Sequence, residues 1–93
     1  MRIPKHPGKL LKEEIEARDM SASKLASALG VPANRISDII RERRNVTAET
    51  ALRLAQFFGN SPDFWMRLQI KHDLGKADIE QGAEIRRTVR KAA

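Results

Sequence analysis

The stretch from Ser21 to Arg44, SASKLASALGVPANRISDIIRERR, constrains the fold more than any other part of the chain. Ser21 is a good N-cap, because its hydroxyl can accept from a backbone N–H two or three positions on. Leu25, Ala26 and Leu29 follow at helical spacing, so the helix that starts there has one apolar face. Gly30 ends it, as a residue able to take the left-handed conformation that closes a helix. Val31 can plug the corner, and Pro32 suits the first turn of a second helix, where no amide donor is needed. Ile36, Ile39 and Ile40 give this second helix its buried stripe. Ala33, Asn34, Arg35, Ser37, Asp38 and Arg41 fall on the other face.

Two short helices around a glycine corner, the second with a polar outward face, form the helix-turn-helix pattern. In that motif the second helix enters the DNA major groove and its N-terminal half meets base edges. Helical corners are also frequent in all-α domains that read no DNA, so periodicity alone leaves both readings open. Two features favour DNA: the small Ala26 where two helices cross, and the basic cluster Arg41, Arg43 and Arg44 beside the polar face. Charge points the same way. The 93 residues carry 18 basic and 12 acidic side chains, a formal net charge of +6. Such a balance favours a polyanionic partner.

Length and composition set further bounds. A chain this short holds one modest core. It has no apolar run long enough to span a membrane. Its N-terminus is charged without the apolar segment of a secretory signal. It has no cysteine, so disulfide and thiolate chemistry are excluded. The cytoplasm is the expected compartment.

Met1 to His6 reads as a short basic lead-in to a first helix from about Pro7 to Arg18, with Leu10, Leu11 and Ile15 as its apolar stripe. Glu13, Glu14 and Glu16 alternate with Lys9, Lys12 and Arg18, the pattern of a solvated mixed-charge face. After the central motif, Thr47 caps a helix whose buried face holds Ala48, Ala51, Leu54, Ala55 and Phe58, widened by Leu52 and Phe57. Gly59 stops it. Ser61-Pro62-Asp63 starts the next helix with a cap, a proline and an acid in the first turn. That helix carries Phe64, Trp65, Leu68 and Ile70, and Gly75 is expected to close it. Asp78 is expected to cap a last helix to about Lys91, with Ile79, Ala83, Ile85 and Val89 as a ragged stripe and Gly82 as a weak point.

Phe57, Phe58, Phe64 and Trp65 are all the aromatics of the chain. Their helical spacing favours a core role, with Trp65 the one expected to be partly available at an interface. His6 and His72 lack acidic or thiol companions at ligand spacing, so each reads as a surface or helix-end residue and no metal site is expected. No nucleophile–base–acid set, phosphate loop or paired buried carboxylate is visible, which gives an enzyme reading nothing to rest on and no cofactor to hold.

With these residues in place, a family likeness appears. Ser21–Val31 together with Ile36-Ser37-Asp38-Ile39 resembles the Cro/repressor-type, or XRE, helix-turn-helix. Three further stretches resemble the HigA/VapI addiction-module antidotes: His6-Pro7-Gly8-Lys9-Leu10-Leu11, the block from Val46 to Ala55, and the block from Phe58 to Gln69. The resemblance covers His6 to about Leu74. It implies an all-α, lambda-repressor-like helix-turn-helix bundle of five helices; the tail after Gly75 lies outside the resemblance and adds the sixth, C-terminal helix read from its own residues. Residues 1–75 would form the DNA-binding domain and 76–93 a basic helical extension.

The resemblance also implies a function. Such proteins are homodimeric repressors of their own operon that read palindromic double-stranded DNA. They neutralise a partner toxin, in this family usually a RelE/HigB-type RNase. Ala33, Asn34, Arg35, Ser37 and Asp38 would lie at the groove. Asn34 matches the edge of adenine, and Arg35 matches guanine or phosphate. Lys24, Arg41, Arg43, Arg44 and the backbone near Ala22 and Thr47 would meet phosphates. Ile79, Ile85 and Val89 join Trp65 as a possible protein interface. Two positions depart from the family pattern. Glu42 stands where a glycine usually follows the recognition helix, and Pro32-Ala33 replaces a more usual polar pair. These departures keep two alternatives in view: a regulator of the same fold with no toxin, and a protein-interaction module that no longer reads DNA.

Overall fold

The computed structural model describes residues 2–92, and the described residues contain helices and no strand. Helix α1 spans Pro7–Ala17, α2 Ala22–Leu29, α3 Ala33–Ile40, α4 Ala48–Phe58 and α5 Pro62–Ala77. A π-helical turn, Asp78–Gly82, then leads directly into α6, Ala83–Thr88. Of the basic lead-in, Met1 lies outside the described residues.

Local chemistry sets most boundaries. Ser21, Thr47 and Ser61 each cap a helix by accepting a backbone N–H three residues on, from Lys24, Thr50 and Phe64. Pro7 and Pro62 occupy first-turn positions. Pro32 takes the N-cap position of α3 itself, one residue outside the helix, and offers no side-chain cap. The helix ends share one device. Asp19, Gly30, Glu42 and Gly59 are the described residues with left-handed backbone, and each follows the end of a helix.

The core is built by α1 to α4 and the start of α5. Leu11, Ile15, Leu25, Ala26, Leu29, Ile36, Ile39, Val46, Ala51, Leu54, Ala55 and Trp65 are buried together. Ala26 on α2 is 1% exposed and belongs to this cluster. Gly8 is buried because the first turn of α1 presses on the end of α3. A Cβ there would overlap the backbone carbonyl of Ile39.

Three expectations for packing are corrected. Trp65 is 1% exposed and forms part of the core, not of an interface. Its ring packs between Phe58 and Phe64, and its indole N–H donates to Asn60 Oδ1 at 3.0 Å, so burial leaves no donor unsatisfied. Leu52 and Phe57 do not widen the buried face of α4. They are exposed and border a shallow depression of about 420 Å³ with Ala28, Leu29, Arg53 and Gln56. Ala48 is likewise exposed, at the first position of α4.

The C-terminal third also differs from expectation. Gly75 does not close α5. The helix runs through it, and the ring of Pro4 packs against that position, leaving no room for a Cβ. Asp78 caps nothing. Its carboxylate accepts from Arg86 Nη1 at 2.6 Å, and both side chains close over the buried Gly82. The last helix ends at Thr88 rather than near Lys91, with Val89 already extended. The result is a rod of about 40 Å from Pro62 to Thr88. It stretches the molecule to 51 × 22 × 20 Å, with a radius of gyration of 15.8 Å. A compact chain of this length would measure about 12 Å.

Candidate nucleic-acid interface

The recognition helix is α3. Ile36 and Ile39 anchor it in the core, so its rotation about its own axis is fixed by packing. This presents Ala33 and Asn34 to solvent, with Arg35, Ser37 and Asp38 partly covered. Ser37 turns its hydroxyl back onto the α3 backbone, donating to the carbonyls of Ala33 and Asn34 at 3.4 and 3.3 Å. Asn34 makes no side-chain hydrogen bond among the described residues, leaving its amide fully available.

Arg35 is tethered. Its Nη1 donates to Glu49 Oε1 at 2.6 Å, and its side chain is 25% exposed. Glu49 also faces Arg53, at 3.5 Å. Arg53 Nη1 in turn donates to the carbonyl of Leu29, the last residue of α2, at 2.8 Å. One polar chain therefore links α2, α4 and α3. The Arg35 hydrogen bond is the main reason that the Glu49 carboxyl titrates below its ordinary value, with both arginine charges adding to it.

The cations at the far end of α3 are in a different state. Arg41, Arg43 and Arg44 are exposed, as is Lys24 near the start of α2, and none forms an ion pair among the described residues. Glu42, the departure from the family pattern, does not break the turn. It adopts φ +62°, while its N–H donates to the Ile39 carbonyl at 2.9 Å and that of Arg43 to the Asp38 carbonyl at 2.8 Å. This is the closure a glycine would give, achieved by a residue that resists the conformation. Ala22 opens α2, and Thr47 caps α4 by accepting the Thr50 N–H.

Two residues that support this surface escaped the sequence reading. Gln69 on α5 is buried and fully used. Its Oε1 accepts the Val46 N–H at 2.8 Å, and its Nε2 donates to Asn45 and Asp73 at 3.2 and 2.9 Å. It fixes the loop that follows Arg44. Its place four residues after Trp65, on the same helix face, was the available signal. His6 is the other. It is a helix-end residue as expected, but buried rather than on the surface. Its Nδ1 accepts the Gly8 N–H at 2.9 Å, and its ring meets His72 edge to face at 5.0 Å. Burial first, then the neighbouring His72, holds its pKa below the ordinary histidine value, against opposing influences from Glu42, Asn45 and Asp73. Among the described residues no group of histidines and carboxylates is arranged to hold a metal ion, and no helix is long and apolar enough to cross a membrane.

A recognition helix seated against a preceding helix, with free cations at its end, defines a helix-turn-helix domain. The sequence pattern of the helix-turn-helix family matches residues 11–65, and the chain belongs to that family. Virulence-associated protein I of Dichelobacter nodosus is 45% identical over 77 residues, covering 82% of this chain and 71% of the relative. An addiction-module antidote of the HigA family from Coxiella burnetii superposes with a TM-score of 0.94 at 45% identity, over 99% of this chain and all of the other. The Pseudomonas aeruginosa antitoxin HigA, solved with the higBA promoter, gives a TM-score of 0.92 at 37% identity, over 97% of this chain and 99% of the other.

Proposed function

We propose that the protein is a sequence-specific DNA-binding repressor and the antitoxin of a toxin–antitoxin module, acting in the cytoplasm. It binds a palindromic operator in its own upstream region as a homodimer, with two α3 helices in successive major grooves about 34 Å apart. It also neutralises a RelE/HigB-type RNase toxin.

The observation that carries this reading is the division of labour along α3. Its polar N-terminal half is held rigidly outward by Ile36 and Ile39, and its C-terminal end is flanked by unpaired cations. Ala33, Asn34, Arg35, Ser37 and Asp38 are the residues assigned to base edges. Lys24, Arg41, Arg43, Arg44 and the backbone near Ala22 and Thr47 are assigned to phosphates. The likeness to antitoxin HigA with its promoter supports the DNA-binding reading. Residues 1–75 carry the DNA-binding work. Residues 76–93 form the extension, which carries the rod on to Thr88, and the exposed Ile79, Ile85 and Val89 serve contacts with protein.

A reporter driven by the upstream region of the gene tests the repressor, and co-expression with the neighbouring toxin gene tests the antitoxin. The expected results are lowered reporter output and rescue from growth arrest. An unaffected reporter would remove the repressor reading, and unrelieved arrest the antitoxin reading.

A further inference from the structure

The polar chain from α2 through α4 ends on Arg35 of the recognition helix, and the sequence reading gave the chain no role. An arginine that reads a base must hold its planar fork in one orientation, and a free arginine side chain loses considerable rotamer freedom in doing so. Arg35 has already lost that freedom. One terminal nitrogen is committed to Glu49 at 2.6 Å, and Glu49 is itself steadied by Arg53, which is fixed on the Leu29 carbonyl. A guanidinium has five N–H donors, so one bond leaves an edge unused. The side chain is 25% exposed, and no Arg35 nitrogen is among the buried atoms without a partner, so the unused donors are not sealed from solvent. Bidentate pairing with the O6 and N7 acceptors of guanine requires such an edge.

We propose that Glu49 is the positioning residue for base reading: it braces Arg35 so that the free guanidinium edge meets a guanine in each half-site, with Arg53 as the outer support. This rests on the DNA-reading role of α3 proposed above. A carboxylate beside a phosphate-lined groove also costs nonspecific affinity, so bracing trades general attraction for selectivity. Arg35 is thereby set apart from Arg41, Arg43 and Arg44, which are untethered and suited to phosphate.

The test is a double-mutant cycle with wild type, Glu49→Ala, Arg35→Ala and the double variant. Each is titrated against the upstream operator and against operators in which each G·C pair of the half-site is changed in turn. In Glu49→Ala, preference for one G·C position falls by about tenfold, while binding to scrambled DNA strengthens. Arg35→Ala loses the same preference at the same position, and adding Glu49→Ala causes no further loss. Glu49→Gln, which keeps an acceptor oxygen, restores part of the preference; a merely structural role would weaken all sequences alike. Unchanged preference in Glu49→Ala, uniform weakening across sequences, or additive losses would overturn the proposal while leaving the wild-type repressor reading intact. Failure of the wild type to distinguish its operator from scrambled DNA would overturn both.

Discussion

Leu11, Leu25, Ile36, Ile39 and Leu54, all within the first four helices, have no exposed surface, whereas Leu74, Ile79 and Ile85 along the rod, and Val89 just past its end, are each about half exposed or more. The contrast extends to polar contacts. Between α1 and the start of α5, hydrogen bonds such as Gln69 to Val46 and Arg53 to Leu29 join different elements. Beyond Asp78, among the described residues, they stay within the rod itself, as in Arg86 with Asp78 and Arg87 with Glu84. The DNA-facing region is stabilised by its own chain, because a reading helix must be held to a fraction of an ångström. The rod leaves apolar surface unspent, which suits association with protein.

The sharpest way to break this contrast is to truncate two residues of the core and one of the exposed stripe. Trp65→Ala is expected to cost about 3–5 kcal/mol and Leu54→Ala about 2–5 kcal/mol in chemical denaturation, since both leave cavities in a closed core. Ile85→Ala should stay within about 0.5 kcal/mol for the dilute monomer while weakening self-association in sedimentation. Comparable losses at Leu54 and Ile85 would mean that the rod is as integral to the monomer as the core. Gly8→Ala comes next, at about 1–3 kcal/mol of destabilisation, because its Cβ must push α1 away from the Ile39 carbonyl. Glu42→Gly is expected to act in the other direction. Releasing the left-handed strain stabilises by up to about 1 kcal/mol, and removing a negative charge beside Arg41 and Arg43 tightens DNA binding.

The smallest effect is a pH dependence. His6 has a folded pKa below its unfolded value, so the neutral ring stabilises the fold above about pH 6.5. That contribution is lost as pH falls through the lowered folded pKa, when Nδ1 takes up a proton and can no longer accept from Gly8. Melting temperature should therefore fall on going from pH 7.5 to 5.5. His6→Asn, which keeps an N-capping acceptor, should flatten the fall. An unchanged fall in that variant would assign it to another group.

What the sequence revealed and what it hid divide along the same line. Ser21, Thr47 and Ser61 announce helix starts through bonds that span three residues, Pro7 through its fixed φ and missing N–H, and Gly30 announces a helix end, so all were legible. The stripe Ile36–Ile39 was legible for the same reason. Gly75 misled, because a glycine that ends a helix and one that admits a neighbouring proline ring look identical in sequence. Trp65 misled because its satisfied N–H depends on Asn60. The tether of Arg35 to Glu49 joins residues 14 positions apart on different helices, and no local rule brings them together. For the same reason the recognition helix could be located from sequence, while the state of each side chain on it could not.

The central claim is that α3 reads sequence and the cations beside it supply salt-sensitive attraction. The most direct measurement is binding of the purified protein to its own upstream duplex and to a scrambled duplex, at 50 and 200 mM salt, with Arg35→Ala and Arg44→Ala alongside. The expected result is tight binding to the upstream duplex that weakens steeply with salt. Arg35→Ala should lose preference, by about 1–3 kcal/mol at one position. Arg44→Ala should weaken both duplexes alike, with a shallower salt slope. Equal affinity of the wild type for both duplexes, or identical sequence-independent losses in the two variants, would contradict it.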